Sequence, residues 1–393
     1  MRIGIDATTW WNKRGFGRFT RQLLGAMFEQ NRGHEYVLLV DQPAAPEMQR
    51  ENVEIVTVET RKTVTEAAVA DDSRGVSDLL AFRRAARSAK VDCFYFPAVY
   101  SWFPIGGDIS SVVTFHDAIA EHYPGLVMPR WQNRLLWNAK VWLAKTRASA
   151  ITTVSQAAKR ELVSYLRLPE DDIHVILEAA DPAFKPVRDN ARLSAIRERL
   201  SLPTDRRLFL YVGGLAPHKN LLGLTKAFAE ARATGGLDDV DLVLAGDPKG
   251  DGFHSNYEEI VSLAEGDPAL TGRVHFPGFV PDEDLPGLYS DALAVIMPAF
   301  SEGFGLPAAE AVACGTPVLA TDGGSVAEFV GDAGLYFDPH SIDEMADTLR
   351  KMATDFDLEA RLRANCAKQA DALSWDRAAV ETLEVIEKAG SSD

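Results

Sequence analysis

Short apolar runs alternate with stretches of helical periodicity along the first half of the chain. The runs begin at Ile3, Tyr36, Cys93, Ser111 and Ala150. Most of them are continuous and not alternating, which is typical of parallel strands buried on both faces. Between them, helical spacing of apolar positions covers 17–30, 79–89 and 130–147. This order predicts an α/β domain with a parallel sheet.

A second series of the same kind follows the polar, proline-containing stretch 181–190. Its apolar runs begin at Leu208, Asp241, Val274, Leu293, Pro317 and Gly334. With 393 residues, the chain is too long for one ordinary hydrophobic core. We therefore predict two doubly wound, Rossmann-like α/β domains, 1–190 and 191–373, with a ligand cleft at the carboxyl ends of both sets of strands.

Composition narrows the range of partners. The formal net charge of −16 argues against nucleic-acid binding, which needs a basic face. The three cysteines are far apart, so they indicate neither a disulfide framework nor zinc. The acidic pairs at 239–241, 282–284 and 355–357 read as solvated or capping residues, and we predict no metal site and no cofactor. No run of apolar residues is long enough to span a membrane, and we expect a cytoplasmic protein.

The segment EGFGLPAAE, which follows the apolar run from Leu293, contains two glutamates, Glu302 and Glu310. Pro307 suits the first turn of a helix, so the backbone amides just before it are expected to face a ligand. These amides belong to Gly303, Phe304, Gly305 and Leu306. Carboxylates on either side could each bind two neighbouring sugar hydroxyls. Taken alone, the same spacing also fits an ordinary turn and a glutamate that complements the helix dipole.

A second glycine-bearing turn, YVGGLAPHKN, joins a strand to a helix. Gly213 and Gly214 end the strand, and Lys219 stands at the entrance of the helix. An ammonium group and helix-start amides together could bind a diphosphate. An ordinary surface lysine is the alternative.

Two features of the first half could take part in a site. The turn WWNKRGFGRFT has Gly15 and Gly17, but it lacks the third glycine of a dinucleotide fingerprint. It could approach a phosphate or an acceptor, with Arg18 as a partner. His116 follows the strand VVTF at the edge where α/β folds bind ligands, although a structural histidine is equally compatible with this position.

The segment 129–147 is rich in tryptophan and in basic residues. A basic amphipathic helix of this kind can lie on an anionic membrane, which would suit a lipid-linked acceptor. Its apolar positions are widely spread, so packing into the core is the alternative.

The segment EGFGLPAAEAVACGTPVLATDGG followed by AEFVGDAGLYFDP resembles the donor-site signature of glycosyltransferase family 4, whose members are retaining enzymes of GT-B fold. TFHDAI, TVSQAAKREL, YVGGLAPHKN, VHFPGFVPDEDLPGLYSDA and SWDRAAVETL resemble family segments in the same order. The likeness spans nearly the whole chain. It implies a GT-B fold in which a final helix, 374–390, crosses back onto the first domain.

The resemblance implies a role for each candidate residue. Glu302 would act on the transferred sugar, with His116 beside it. The amides of 303–306 would bind the sugar hydroxyls and the phosphate, Glu310 the ribose and Lys219 the diphosphate. Phe279 and Val280 would border the base. The chain departs from the family pattern at Gly214, where members often carry Arg, and in ILEAAD from Ile176, where many have Asn-Gly-Val-Asp.

The resemblance implies a metal-independent hexosyltransferase of glycan biosynthesis. Its partners would be a nucleotide sugar donor, with GDP-mannose favoured over UDP-glucose, and a saccharide or lipid-linked acceptor. An epimerase of GT-B fold, a non-catalytic sugar-binding protein and a dinucleotide-dependent oxidoreductase are the alternatives, and the incomplete glycine set of GFGRF argues against the last.

Overall fold

A computed structural model describes residues 1–12, 15–30, 32–63, 75–128, 130–248 and 255–391. The chain divides into an N-terminal unit, Met1–Glu178 with Ser374–Asp393, and a C-terminal unit, Ala179–Leu373.

The N-terminal unit contains a seven-stranded sheet in the order β3-β2-β1-β4-β5-β6-β7, and its strands pair in parallel. The strands are β1 Arg2–Asp6, β2 Glu35–Val40, β3 Val53–Thr57, β4 Cys93–Phe96, β5 Ser110–Thr114, β6 Ala150–Thr153 and β7 Ile173–Val175. The helices are α1 Gly15–Glu29, α2 Val76–Ser88, α3 Ile119–His122, α4 Pro124–Val127, α5 Trp131–Arg147, α6 Gln156–Leu166 and, after the C-terminal unit, α15 Trp375–Gly390.

The C-terminal unit contains a six-stranded parallel sheet in the order β10-β9-β8-β11-β12-β13. Its strands are β8 Arg207–Val212, β9 Val240–Ala245, β10 Val274–Gly278, β11 Ala294–Met297, β12 Val318–Thr321 and β13 Gly334–Phe337. Its helices are α7 Asn190–Arg199, α8 Leu221–Ala233, α9 Tyr257–Gly266, α10 Leu285–Asp291, α11 Leu306–Ala313, α12 Ser325–Val330, α13 Ile342–Thr354 and α14 Phe356–Asp371.

The continuous apolar runs form the central strands. All six residues of β9 are buried, as are the last five of β2. Burial on both faces requires helices on both sides of each sheet, which agrees with the alternation of strands and helices along the chain. The predicted α/β class with two doubly wound sheets is confirmed.

Each sheet has one point where the strand order reverses, between β1 and β4 in the first and between β8 and β11 in the second. The connections that follow these two strands diverge to opposite faces, which opens a crevice at their carboxyl ends. In the C-terminal unit, the loops that border this crevice are 213–220 and 298–305.

The helix α15 packs within the N-terminal unit, although it follows the C-terminal unit in sequence. Glu387 on α15 binds His34 at 2.8 Å and Arg32 at 3.2 Å. Burial alone would raise the pKa of Glu387, but the hydrogen bonds from His34 and Arg32 lower it. These contacts fasten the end of the chain to the first domain.

Candidate functional site

Lys219 and Glu302 meet at the crevice of the C-terminal sheet. The Nζ of Lys219 donates to both carboxylate oxygens of Glu302, at 2.7 and 2.8 Å. The side chains are 20% and 16% exposed, so each is partly covered and still open to solvent. The two residues are 83 positions apart, and strand order brings them together because β8 and β11 are neighbours.

Lys219 is the source of positive charge in the HKN segment, since the neighbouring His218 is neutral. Burial, together with the charge of Lys219, lowers the pKa of His218 to about 3. Near the end of β8, burial raises the pKa of Tyr211 and the charge of Glu302 raises it further. Tyr211 therefore stays protonated, and its hydroxyl donates to the Gly214 carbonyl at 2.6 Å.

Two residues that the sequence reasoning overlooked hold these loops. Asn220, in the left-handed conformation at the start of α8, donates from its amide to the carbonyls of Pro298 and Pro339 at 3.1 and 2.8 Å. The single proton of the Ser325 hydroxyl is shared between the carbonyl oxygens of Glu302 and Phe304, at 2.9 and 3.0 Å. The segments HKN and DGGS contain both residues, and their places after buried strands are the signal that could have identified them.

The glycine-bearing turn before α11 has little steric freedom. Gly305 has φ of +99°, and a Cβ there would lie 2.6 Å from Val326. The ring of Phe304 is buried and stacks on Phe329 at 4.5 Å. The backbone of 303–306, and not the Phe304 side chain, is therefore what this turn offers to a ligand. The helix α11 begins at Leu306, with Pro307 as its second residue.

Glu310 lies in a different environment from Glu302. It is 1% exposed, and its Oε2 accepts a hydrogen bond of 2.8 Å from the Tyr289 hydroxyl. Burial and the charge of Glu310 raise the pKa of the neighbouring Cys314 thiol to about 12. The sequence reasoning overlooked Tyr289 because it belongs to α10, 21 positions away.

Glycine lies at the carboxyl ends of three adjacent strands: Gly213 follows β8, Gly246 follows β9, and Gly278 is the last residue of β10. Gly213 donates to the Ala245 carbonyl and Gly246 to the Gly278 carbonyl, both at 3.0 Å. A Cβ on Gly246 would lie 2.1 Å from the Gly213 oxygen, so the backbones meet too closely for any side chain. After β10, Phe279 is 60% exposed and Val280 is buried. Gly214 is exposed.

The remaining candidates belong to the N-terminal unit. Gly15 begins α1 and is exposed, whereas Gly17 is buried. A Cβ on Gly17 would lie 1.7 Å from the Asn12 carbonyl oxygen, which gives this glycine a packing role. His116 follows β5 and is 9% exposed. The structure thus brings Lys219 and the loop of Glu302 together, and it assigns Gly15, Gly17 and His116 to the other unit.

The helix α5 exposes most of its large apolar residues, which argues against the alternative of core packing. Only Val141 and Ala144 in it are buried. Trp131, Leu135, Leu136 and Trp142 are 58–67% exposed, and Leu143 is 37% exposed. Pro129, the first residue of the predicted membrane segment, lies outside the described residues. Among the described helices, none is long and apolar enough to cross a bilayer.

Two family models together match most of the chain. The model described as Glycosyltransferase Family 4 matches residues 14–184, and the one described as Glycosyl transferases group 1 matches residues 194–370. The O-antigen chain mannosyltransferase B of Escherichia coli is 30% identical over 284 residues, which are 70% of this chain and 69% of that protein. The serotype-specific mannosyltransferase WbdA of Escherichia coli is 29% identical over 240 residues, or 61% of this chain. The chain spans only 28% of the length of WbdA.

Solved structures of similar fold align with this chain over 98–100% of its length. Sucrose-phosphate synthase from Thermosynechococcus elongatus has a TM-score of 0.74 at 19% identity and full coverage of both chains. WaaG, a glycosyltransferase involved in lipopolysaccharide biosynthesis, has a TM-score of 0.71 at 16% identity over 98% of this chain and 99% of WaaG. These likenesses confirm the predicted GT-B fold. The two family models and the Escherichia coli relative that is 30% identical show that the chain belongs to glycosyltransferase family 4.

Proposed function

We propose that the chain transfers mannose from GDP-mannose to a saccharide or lipid-linked acceptor, with retention at the anomeric carbon and without a metal ion. The observation that carries the proposal is the Lys219–Glu302 pair in front of α11. The two Escherichia coli relatives described above favour mannose, since both are mannosyltransferases. UDP-glucose is the next donor to test.

Lys219 and Glu302 can bind the phosphate and the sugar of a nucleotide sugar donor at the same time. An ammonium has three N–H donors, and Lys219 directs two of them to Glu302, so the third can reach a phosphate oxygen. The carboxylate of Glu302 can accept about four hydrogen bonds and therefore has room for sugar hydroxyls. The amides of Gly303, Phe304, Gly305 and Leu306 would complete the contacts to the sugar and the phosphate.

Other contacts would fix the nucleoside. Glu310, held by Tyr289, would accept a ribose hydroxyl. The exposed ring of Phe279 and the backbone at Val280 would border the base, beside the glycine strand ends Gly213 and Gly214. Because these ends carry no side chains, the nucleotide could approach the sheet edge closely.

The charge that must be stabilised during transfer forms on the departing diphosphate. Lys219 and the amides before α11 would act on it, and preorganised donors of this kind are commonly the largest contribution to catalysis. Retention through a covalent intermediate requires two carboxylates about 5 Å apart on either side of the bond. Because Glu302 is paired with a cation, we propose a same-face route in which the leaving phosphate deprotonates the acceptor.

Gly15, Gly17 and His116, in the N-terminal unit, would contribute to binding of the acceptor.

A panel of nucleotide sugars tests the proposed donor. A donor that binds the native protein raises its unfolding temperature, and GDP-mannose should raise it most. Release of GDP only when an acceptor is added, with an α-linked mannoside as the product by NMR, is the expected outcome. Conversion of the sugar without an acceptor would indicate an epimerase instead. Binding without release of GDP would indicate a sugar-binding protein.

We also propose that α5 contacts an anionic membrane surface. Trp131, Leu135 and Trp142 share one stripe of the helix, and Leu136 and Leu143 extend it, on the side opposite the buried Val141 and Ala144. Basic residues flank the buried side, and segment 130–147 contains no acidic residue. An apolar stripe bordered by cations suits the headgroup region of a bilayer. Each cation near an anionic surface contributes about 1 kcal/mol.

Vesicle sedimentation tests the membrane contact. The protein should bind phosphatidylglycerol vesicles strongly and phosphatidylcholine vesicles weakly. High salt should lower the binding to phosphatidylglycerol to the level seen with phosphatidylcholine. A Trp131→Ser and Trp142→Ser double variant should lose binding, whereas Phe356→Ser, which changes an equally exposed aromatic residue elsewhere (68% exposed), should not. Undiminished binding of the double variant would refute the contact.

A further inference from the structure

A cavity of about 440 Å³ lies among α3, α4, α5 and α6 of the N-terminal unit. Pockets for small ligands have volumes of roughly 300–1,000 Å³. Both α5 and α6 end at the amino edge of the parallel sheet, since each is followed by the start of a strand. Near these ends, Lys145 of α5 donates to the carbonyl of Leu166 of α6 at 2.5 Å. Both residues line the cavity, which therefore lies in the helical layer beside the sheet and not in the crevice at its carboxyl edge.

Aromatic and aliphatic side chains supply much of the lining. Trp137, Trp142 and Tyr165 all line the cavity, and the last two are 58% and 42% exposed. Val141 and Leu166 are buried and add apolar surface. Tryptophan and tyrosine combine an apolar ring with a polar atom, which suits a ligand that has apolar faces and polar edges, as a sugar ring does. A small inorganic ion has no apolar face to cover such surface.

The polar groups of the cavity include both acceptors and donors. Glu121 accepts one hydrogen bond from an indole N–H at 2.7 Å, and a carboxylate has room for about four. Lys145 gives one of its three N–H groups to the α6 carbonyl, and Arg134 and Asn138 add a guanidinium and an amide. A hydroxyl both donates and accepts, so a ligand with several hydroxyls can bind the carboxylate and the cations together.

The carboxyl group of Glu121 makes the cavity a poor site for a phosphate. Burial raises the pKa of Glu121, although the hydrogen bond from Trp137 lowers it in part. An anion placed beside this group would disfavour its charged form further. Since Arg134 and Lys145 share the cavity with a carboxyl group, the lining lacks the uniform positive charge of a phosphate site. A neutral saccharide fits these groups better.

The cavity also borders the exposed apolar stripe of α5. Trp142 belongs to both, and Asn138 lies between Leu135 and Trp142 at helical spacing. We propose that the cavity binds a neutral saccharide unit of a membrane-linked acceptor while the stripe contacts the bilayer. Because the cavity lies outside the crevice, this unit is not the one that receives the transferred sugar. Its role as part of the acceptor rests on the proposed function, whereas saccharide binding does not.

Saturation-transfer NMR with mannobiose tests saccharide binding on the protein alone. Asn138→Trp fills the cavity from an exposed position, so folding should be retained and the affinity should fall at least about tenfold. Tyr165→Ser should also weaken binding. Gln132→Trp is the matched control, at an exposed position of α5 outside the cavity, and should bind like the wild type. Equal binding by Asn138→Trp and wild type, or displacement of mannobiose by equimolar inorganic phosphate, would overturn the proposal.

Vesicle sedimentation distinguishes a membrane-linked saccharide from a free one. Phosphatidylcholine vesicles that carry a lipid with a mannobiose headgroup should bind the protein at least about tenfold more tightly than free mannobiose does, because the stripe and the cavity bind together. Asn138→Trp should lose this gain and still bind phosphatidylglycerol vesicles. Loss of both kinds of binding, or no gain over free mannobiose, would refute the membrane-linked source. Saccharide binding without any transfer from a nucleotide sugar would count against the proposed function and leave the cavity site standing.

Discussion

Replacing Lys219 with methionine is the sharpest test of the donor site, because it removes a charge and keeps most of the side-chain volume. Two effects should weaken the binding of GDP. The protein loses a charge-assisted hydrogen bond to phosphate, worth about 2 kcal/mol. Glu302 also keeps its negative charge without its partner, close to an anionic ligand.

The second effect can be bounded from the geometry. Two charges 4 Å apart interact by about 1 kcal/mol in water and about 4 kcal/mol near a protein surface. Because Glu302 is only 16% exposed, the value for water is a lower bound, and we use it as the minimum repulsion. Together the effects amount to about 3 kcal/mol, or a rise of about a hundredfold in Kd.

Titration calorimetry with GDP measures this change, and a second variant separates the two effects. Adding Glu302→Gln removes the uncompensated charge, so the double variant should bind GDP about fivefold more tightly than Lys219→Met alone. It should still be inactive in transfer, since the sugar contact is lost. Lys226→Met, at an exposed position on α8, is the matched control and should bind normally. An unchanged Kd for Lys219→Met, or a double variant weaker than the single one, would refute the reasoning.

Three further changes test the structure around the two sites. Gly17→Ala should destabilise the protein by about 3 kcal/mol, because its Cβ would collide with backbone, whereas Gly25→Ala in the same helix meets nothing within 4 Å and should be neutral or stabilising in denaturant unfolding. Since the pKa of His218 is about 3 when folded and about 6.5 when unfolded, the native state should lose about 2 kcal/mol between pH 7 and pH 5. His218→Gln should abolish that part of the pH dependence. Ser325→Ala should lower kcat in the transfer assay, since Ser325 holds the loop of Glu302. The variant should still unfold cooperatively above the assay temperature, so the loss of kcat would not come from unfolding.

The sequence predicts the central strands and the long helices closely. A continuous apolar run is sufficient to predict a buried strand, and helical spacing of apolar residues is sufficient to predict a long helix. The stretch 130–147 is a helix over Trp131–Arg147, and the stretch 17–30 is a helix over Gly15–Glu29. The strands β3 and β7 were not predicted. β3 lies at the sheet edge with mixed burial, and β7 has only three residues, so neither has a continuous apolar run.

The proximity of Lys219 and Glu302 follows from topology, but their direct contact does not. Two loops that leave neighbouring strands at the point of reversal must lie close together. Whether the side chains bind each other depends on how each loop is held, and Asn220 and Ser325 hold them through contacts 78 and 23 positions away. No local pattern encodes such distances.

The spacing of Glu302 and Glu310 is compatible with two equivalent carboxylates, yet the fold makes them different. Glu302 precedes α11, in a loop that faces Lys219. Glu310 is the fifth residue of α11, on the side that packs against Tyr289 of α10. Removing the Glu310 carboxylate would leave a buried hydroxyl without its acceptor, whereas removing that of Glu302 would leave a partly exposed cation that water can solvate. Glu310→Ala should therefore affect folding as well as binding, and the Glu302 variant is the cleaner probe of catalysis.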